Sequence, residues 1–324
     1  MAKNKKIKDN SSKMGLKGKS AIIFIVIVMT LLILYTLSQF YVLGWGLMTS
    51  LKSRYDFEVP VSNVLGFPDI NGLSREAFWK LENYGIMLSK FDIKLNGSYY
   101  SMGNKITYKG VATIWNMIAN SIIYVLIGGT LRALFPCVVA FLCSKYKYKF
   151  SKFIIGMIVV LLSIHLIGAG PASLKLYRDL GLYNNWFGQI IMHSNFLGMY
   201  FLVFVAYFDG LSDTYSEAAE IDGASQLAIL IKIGLPLAMK MMVTIFLLNS
   251  VTLWNDYNTP MLYLPGKPTL SYGIYRFTND SQLSMANVPT KMAGGMILAI
   301  PMTLIFIIFK KKLMGNVTMG GLKE

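Results

Sequence analysis

Charge is scarce in this chain. Asp, Glu, Lys and Arg make up only 15% of its 324 residues, against 54% hydrophobic residues, where a soluble domain carries roughly 25% charged ones. From Ser20 to Leu51 there is no acidic, basic or histidine side chain at all. Mean hydropathy is +0.50. These figures exclude a water-soluble fold. The few charges are also lopsided, with 31 Lys and Arg against 16 Asp and Glu, a net charge of +15. Nucleic-acid binders reach such totals, but they gather their cations on one solvated face. Here the cations stand in clusters between long uncharged runs. Nucleic acid is therefore excluded as a partner, membrane lipid is expected instead, and the chain reads as a membrane protein.

Cysteine and histidine are nearly absent too. Cys137 and Cys143 lie six apart in one apolar segment. On a helix that spacing is about 9 Å of rise, with the side chains on different faces, so no bridge is expected. No His or carboxylate accompanies them, so they are not a metal motif and read as small packing residues. His165 and His193 are the only histidines, read as hydrogen-bonded packing residues in preference to a proton relay. The 16 acidic residues all fall in tails, loops or ends of apolar runs, Asp256 being nearest to an exception. An ion-coupled carrier usually holds carboxylates at mid-depth, and this chain does not. Neither a Gly-x-Ser-x-Gly elbow nor a His-Glu-x-x-His pair occurs. Gly18-Lys19-Ser20 imitates the end of a phosphate loop, but Lys13 stands where that loop needs its first glycine. No catalytic residue, metal site or bound cofactor is expected on this chain.

What the chain has in quantity is apolar runs. A membrane-crossing helix needs about 20 mainly apolar residues, because only a helix satisfies its own backbone in hydrocarbon. Six spans are predicted, at about 20–47, 111–144, 153–174, 185–208, 237–257 and 288–309. The first is too long for a signal core and ends in no small-x-small cleavage site, so it reads as a retained anchor. Lysines cluster at Lys3, Lys5, Lys6, Lys8, Lys13, Lys17 and Lys19, at Lys145, Lys147, Lys149 and Lys152, and at Lys310, Lys311 and Lys312. Six spans put all three clusters on one side, which the positive-inside rule makes cytoplasmic. Both termini are then cytoplasmic. The expected organisation is a basic tail 1–19, a first helix 20–47, an extracytoplasmic segment 48–110, a five-helix core 111–309 and a cytoplasmic tail 310–324. The fold class is an all-α polytopic membrane protein with six transmembrane helices. The 48–110 segment, with Pro60, Gly66, Pro68, Gly72 and Gly85, is expected to form a small cap or a docking surface for an external partner.

One motif is sharp. The loop 209–236, on the predicted cytoplasmic side, reads as a short helix, a turn and a second helix. Thr214 and Glu217 have capping-box spacing. Ala218 and Ala219 are small, helix-favouring residues that let a foreign surface approach. Gly223 is placed to end the first helix with φ > 0. Ile229, Leu230 and Ile233 share one face of the next helix, and Pro236 marks entry into the fifth span.

Glu217-Ala218-Ala219, three residues, Gly223, nine residues, Ile233, one residue, and Leu235-Pro236 resemble the cytoplasmic "EAA" loop of ATP-binding-cassette importer permeases. Asp222-Gly223-Ala224 resembles the carbohydrate-uptake branch, in particular the second membrane subunit of maltose-type transporters. Ser50-Leu51-Lys52, Asn83-Tyr84, Asn120-Ser121, Trp254-Asn255-Asp256-Tyr257 with Pro260, and the tail with Gly315, Thr318, Gly320, Gly321 and Lys323 are similar to the same branch. The chain departs from it in three ways: Leu211-Ser212 replaces the usual Ile-Pro, Leu230 replaces a common aromatic, and the outer segment is longer.

The resemblance implies a type I importer permease in a bacterial cell membrane, forming half of a translocation pathway. Implied partners are cytoplasmic ATPase subunits that use ATP and Mg, a second homologous permease, and an extracytoplasmic solute-binding protein that delivers sugar. An ATPase groove would receive the Glu217–Gly223 helix, with Glu217 meeting a basic group there. Spans three to six would rock between inward and outward access. Asn249, Asn255 and Asp256, with Trp254 as an aromatic platform, are candidates to meet sugar hydroxyls. Interhelical hydrogen bonding is the alternative use of such residues in spans. Arg132 either lines the cavity or pairs with Asp256 or a backbone carbonyl. The competing reading is an ion-coupled secondary carrier for a small solute; a non-transporting scaffold is a third.

Overall fold

The computed structural model describes residues 19–58, 65, 81–146, 149–164, 168–279 and 287–317. The N-terminal lysines before Lys19, His165, and the tail residues from Thr318 onward lie outside the described residues. The chain opens with α1 (Lys19–Ser50), then a short α2 (Arg54–Glu58) and α3 (Glu82–Lys90). Strands β1 (Asp92–Ser101) and β2 (Asn104–Thr113) pair antiparallel, Ser101 opposite Asn104 and Asp92 opposite Thr113. This hairpin adds a β element to the helical expectation. Its two-residue turn has φ of 50° at Met102 and 80° at Gly103, the pair of positive values that matches strand twist.

Strand β2 runs without a loop into α4 (Ile114–Lys145), the central rod of the fold. The switch is local. The Thr113 hydroxyl accepts the Asn116 N–H at 3.4 Å, capping the helix, so residues 111–113, expected inside the second span, belong to the hairpin. At 1.5 Å per residue α4 is about 48 Å long, well beyond the roughly 30 Å hydrocarbon core. It therefore has length to reach past both membrane faces.

Two further expected spans are broken. In place of 153–174 the chain forms α5 (Lys149–Ser163) and α6 (Ala169–Asp179), with Gly168 left-handed at φ 86° between them. In place of 185–208 it forms α7 (Trp186–His193) and α8 (Met199–Asp209). There the Asn195 side chain accepts the Leu197 N–H at 2.7 Å, a local bond that competes with helix continuation. Next come α9 (Thr214–Ile221), α10 (Gln226–Ile229), a π-helical turn Leu230–Gly234, and α11 (Leu235–Asn255). The chain ends with α12 (Asn258–Tyr263), α13 (Leu270–Asn279) and α14 (Val288–Val317). Among the described residues, four continuous helical stretches are long and apolar enough to cross a membrane: Ile22–Ser50, Ile114–Lys145, Gln226–Asn255 and Val288–Lys310. Shorter apolar helices, Phe150–Ser163 and Met199–Asp209, stand where the third and fourth spans were expected.

Two apolar cores are strung along α4. Its first half, with Ile114, Met117 and Tyr124, packs with Met87, Phe91, Leu253, Leu264, Phe277 and Ala293. Its second half, with Ala133, Cys137 and Phe141, packs with Phe201, Phe204, Phe208, Ala238 and Ile245. Cys137 and Cys143 are free and buried in that second core. Helix α1 instead leaves most of its apolar side chains exposed, as a helix bathed in lipid or covered by another subunit does.

Connections beyond each end of α4 sort cleanly. At the hairpin end, the Ser101 hydroxyl donates to the Arg178 carbonyl at 2.7 Å, and Asn184 accepts the Gly266 N–H at 2.9 Å. At the other end, residues 144–146 meet residues 209–226. Segments expected on one side of the membrane thus touch one another.

Candidate functional site

The loop 209–236 builds an exposed helix on a fixed base. Helix α9 buries no residue fully. Ser216 and Ala219 turn inward and are half-buried, whereas Tyr215, Glu217, Ala218 and Asp222 are exposed and Ile221 is 86% exposed. The two alanines therefore differ: Ala218 faces outward, and Ala219 rests against the chain's own second core. An isoleucine so exposed, in line with Tyr215 and Ala218 at helical spacing, gives the element an apolar outer stripe.

The expected capping box is not formed. Asp213, not Thr214, is the N-cap, and its side chain makes no cap bond. Its carbonyl accepts the Ser216 and Glu217 N–H groups, both at 3.0 Å, while the Ser212 hydroxyl takes the Thr214 N–H at 3.3 Å. Helix geometry starts one residue early, leaving Thr214 inside the first turn and its hydroxyl bonded to Ser212 at 2.8 Å. The exit is as expected. Gly223 has φ 77°, Gly223 N–H donates to the Glu220 carbonyl at 3.0 Å and Ala224 N–H to the Ala219 carbonyl at 2.9 Å. This is a Schellman stop, which needs a left-handed residue at that position. Open space surrounds Gly223, so its backbone and not its surroundings demands glycine.

The second half of the motif forms the base. Ile229 and Leu230 are buried, and Ala224, Ile233 and Leu235 pack against the same core. Pro236 explains the π turn before α11. A proline lacks the N–H that would bond to the Lys232 carbonyl, and its ring crowds that carbonyl. The helix widens, with Leu235 N–H donating to the Leu230 carbonyl five residues back. Gly234 sits in that turn where a Cβ would lie 2.7 Å from the Phe141 ring, so α11 enters by crossing closely over α4.

The pathway candidates gather near the C-terminal part of α11 but engage mainly the protein. Asn249 is buried and donates to the Ile245 carbonyl at 2.9 Å. Trp254 is buried and its Nε1–H donates to the Leu298 carbonyl of α14 at 2.9 Å. Asp256 accepts the Tyr124 hydroxyl at 3.1 Å and the Thr259 N–H at 3.0 Å. Asn255 is exposed and donates to the Val251 carbonyl at 2.9 Å. Arg132 was expected to line the cavity or to pair with Asp256 or a carbonyl; among the described residues its Nε–H donates to His193 Nδ1 at 3.2 Å. Asp256 is bonded by Tyr124 and Arg132 by an imidazole, a pairing that hydrophobic patterning does not reveal.

Other resembling stretches meet at the hairpin end. Asn83 donates to the Ser50 and Lys52 carbonyls, both at 2.8 Å, and the Ser50 and Tyr84 hydroxyls are 2.7 Å apart. Asn120 donates to the Pro268 carbonyl at 3.0 Å, and Ser121 accepts the Leu270 N–H at 2.7 Å. These residues are joints between helices and connections.

Comparison with known proteins gives the same architecture. A probable ABC transporter permease of Pyrococcus horikoshii is 33% identical over 46% of this chain, and a galactooligosaccharide transport permease of Bacillus subtilis is 29% identical over 57%. The matched stretches span 54% and 65% of those two relatives' own lengths. A diacetylchitobiose uptake permease of Streptomyces coelicolor is 23% identical over 92% of this chain and 88% of its own. The fold matches a chain of a crystallised bacterial ABC transporter involved in import of the acidic polysaccharide alginate, with a TM-score of 0.68 over 91% of this chain and 98% of that one, at 23% identity. The chain is thus a multi-pass inner-membrane protein, and the relatives it resembles are transport permeases. Residues 122–314, more than half of it, match the binding-protein-dependent transport system inner membrane component family, and to that family the chain belongs.

Proposed function

We propose that this chain is a permease subunit of an ATP-driven, binding-protein-dependent carbohydrate importer, and that α9 is its coupling helix. The reading rests on one observation above all: α9 is held at both ends yet presents Tyr215, Ala218, Ile221 and Asp222 outward, with Ile221 86% exposed. An apolar stripe on a short exposed helix fits the groove of a partner protein. ATP and its Mg²⁺ are used by that partner ATPase. A second permease completes the pathway, and an external binding protein docks at the hairpin end. Residues 209–236 and both termini face the cytoplasm. The sugar-transport names of relatives support a carbohydrate substrate, with oligosaccharides the favoured class.

The test is reconstitution of the chain with its partner permease, ATPase and binding protein in liposomes. Uptake of a radiolabelled oligosaccharide is expected only with ATP and the ATPase present. A photoreactive residue at Ile221 is expected to crosslink the ATPase subunit. Uptake driven by an ion gradient without the ATPase would instead establish a secondary carrier.

A further inference from the structure

The coupling segment is joined covalently to α8 before it and α10 after it. The structure adds a third attachment, to the end of α4, through three consecutive residues. Ser144 donates its hydroxyl to Asp209, the last residue of α8. Lys145 donates from Nζ to the Leu211 carbonyl at 2.8 Å and to Asp213 Oδ1 at 2.7 Å. The Tyr146 hydroxyl donates to Gln226 Oε1, and Gln226 donates from Nε2 to Glu220 Oε1 at 3.0 Å. One turn of helix therefore grips the coupling segment on both sides: Asp213 begins α9, and Glu220 lies at its far end.

Lys145 is the centre of this grip. Its side chain is 9% exposed and that of Asp213 is 47% exposed. A half-exposed ion pair contributes little to stability by itself. Its geometry is more telling. The ammonium sits in the last turn of α4, where helix carbonyls favour a cation, and bridges to the residue whose carbonyl starts α9. Any displacement of α9 pulls on Asp213 directly.

We propose that residues 144–146 form a clamp through which α9 drives α4 as well as α11, with Lys145 as the positioning residue. The inference rests on reading α9 as the coupling helix. Helix α4 borders both apolar cores and continues into β2 at its other end. A stroke delivered to Lys145 therefore reaches the hairpin along one helix.

The test uses the complete reconstituted transporter and reads solute delivered per ATP hydrolysed, with the amount of assembled complex measured alongside. Lys145→Met is expected to lower that ratio about fivefold or more, the usual scale of a coupling between sites. Lys145→Arg, which keeps the cation, stays within about twofold of wild type. Asp213→Asn lowers the ratio as well, and adding it to Lys145→Met costs less than it does alone, because the ion pair the two residues share is already gone. If Lys145→Met prevents assembly, Asp213→Asn with the exchange Lys145→Glu/Asp213→Lys takes its place, and recovery in the exchange is the expected result. A wild-type ratio in Lys145→Met, or independent additive losses in the pair, overturns the clamp. Gly223→Val serves as the control. If it uncouples while the Lys145 and Asp213 variants do not, the clamp alone fails; if all leave the ratio unchanged, α9 is not the coupling helix.

Discussion

Gly223 carries its requirement in its backbone. With φ at 77° and nothing within 4 Å of the place a Cβ would take, a side chain there meets no neighbour but has to hold a left-handed conformation. That costs roughly 1–2 kcal/mol for an ordinary residue and is worst for a β-branched one. Gly223→Ala is therefore expected to reduce transport modestly, and Gly223→Val about tenfold, one decade per 1.4 kcal/mol. Membrane insertion and complex yield stay near wild type in both. Equal activity of the two variants and the wild type would show that the Schellman stop does not set the coupling geometry. Trp254 makes a different prediction at the same scale. Its Nε1–H reaches the Leu298 carbonyl at 2.9 Å, so Trp254→Phe loses a single interhelical bond, worth roughly 1 kcal/mol. The measurement is thermal unfolding in detergent, where a lowered midpoint with retained sugar uptake identifies a packing residue. Retained stability with lost uptake would make it a pathway residue.

Among the elements, those with a local chemical cause were legible in the sequence, and those set by tertiary contact were not. The helix–turn–helix of 214–234 was legible because Gly223 and Pro236 each act on their own backbone. The π turn has the same origin but needs the carbonyl of Lys232 to be placed before it is visible. The hairpin was hidden because its turn is Met102-Gly103, without the Asn-Gly or Asp-Gly pair that announces such turns. The breaks at Gly168 and Asn195 fall within runs apolar enough to look continuous, and a hydropathy window averages over one glycine or one asparagine. Of the site, the turn at Gly223 and the shared buried face of Ile229 and Leu230 were readable from spacing, whereas the exposed Ile221 and the grip of Lys145 depend on which face α9 turns outward. The close crossing at Gly234 gives a test at this scale. Gly234→Ala forces its methyl against Phe141, and overpacking of this kind costs about 1–3 kcal/mol. Unfolding of Gly234→Ala is expected at lower temperature than wild type, and Phe141→Leu in the same chain recovers part of the loss. A Gly234→Ala protein as stable as wild type would mean that α11 does not cross α4 so closely.

For the whole molecule, the sorting of connections to the two ends of α4 argues for sidedness more strongly than lysine counts do. The positive-inside rule weighs residues one by one, and loops as long as 48–110 largely escape it. Contact does not. Ser101 cannot donate to the Arg178 carbonyl at 2.7 Å unless the hairpin turn and the last turn of α6 share a side, and Lys145 cannot hold Asp213 at 2.7 Å unless the end of α4 and the start of α9 share the other. A helix of about 48 Å separates the two sets. A single cysteine placed at Met102 should then react with a membrane-impermeant maleimide added outside intact cells or spheroplasts, while one at Ile221 should react only after permeabilisation. Both native cysteines are buried, so background labelling is expected to be low, and replacing Cys137 and Cys143 by alanine gives the control. Labelling of both sites from the same side would contradict the connectivity itself, because the strand and helix joining Met102 to Lys145 have no loop in which the chain could turn back.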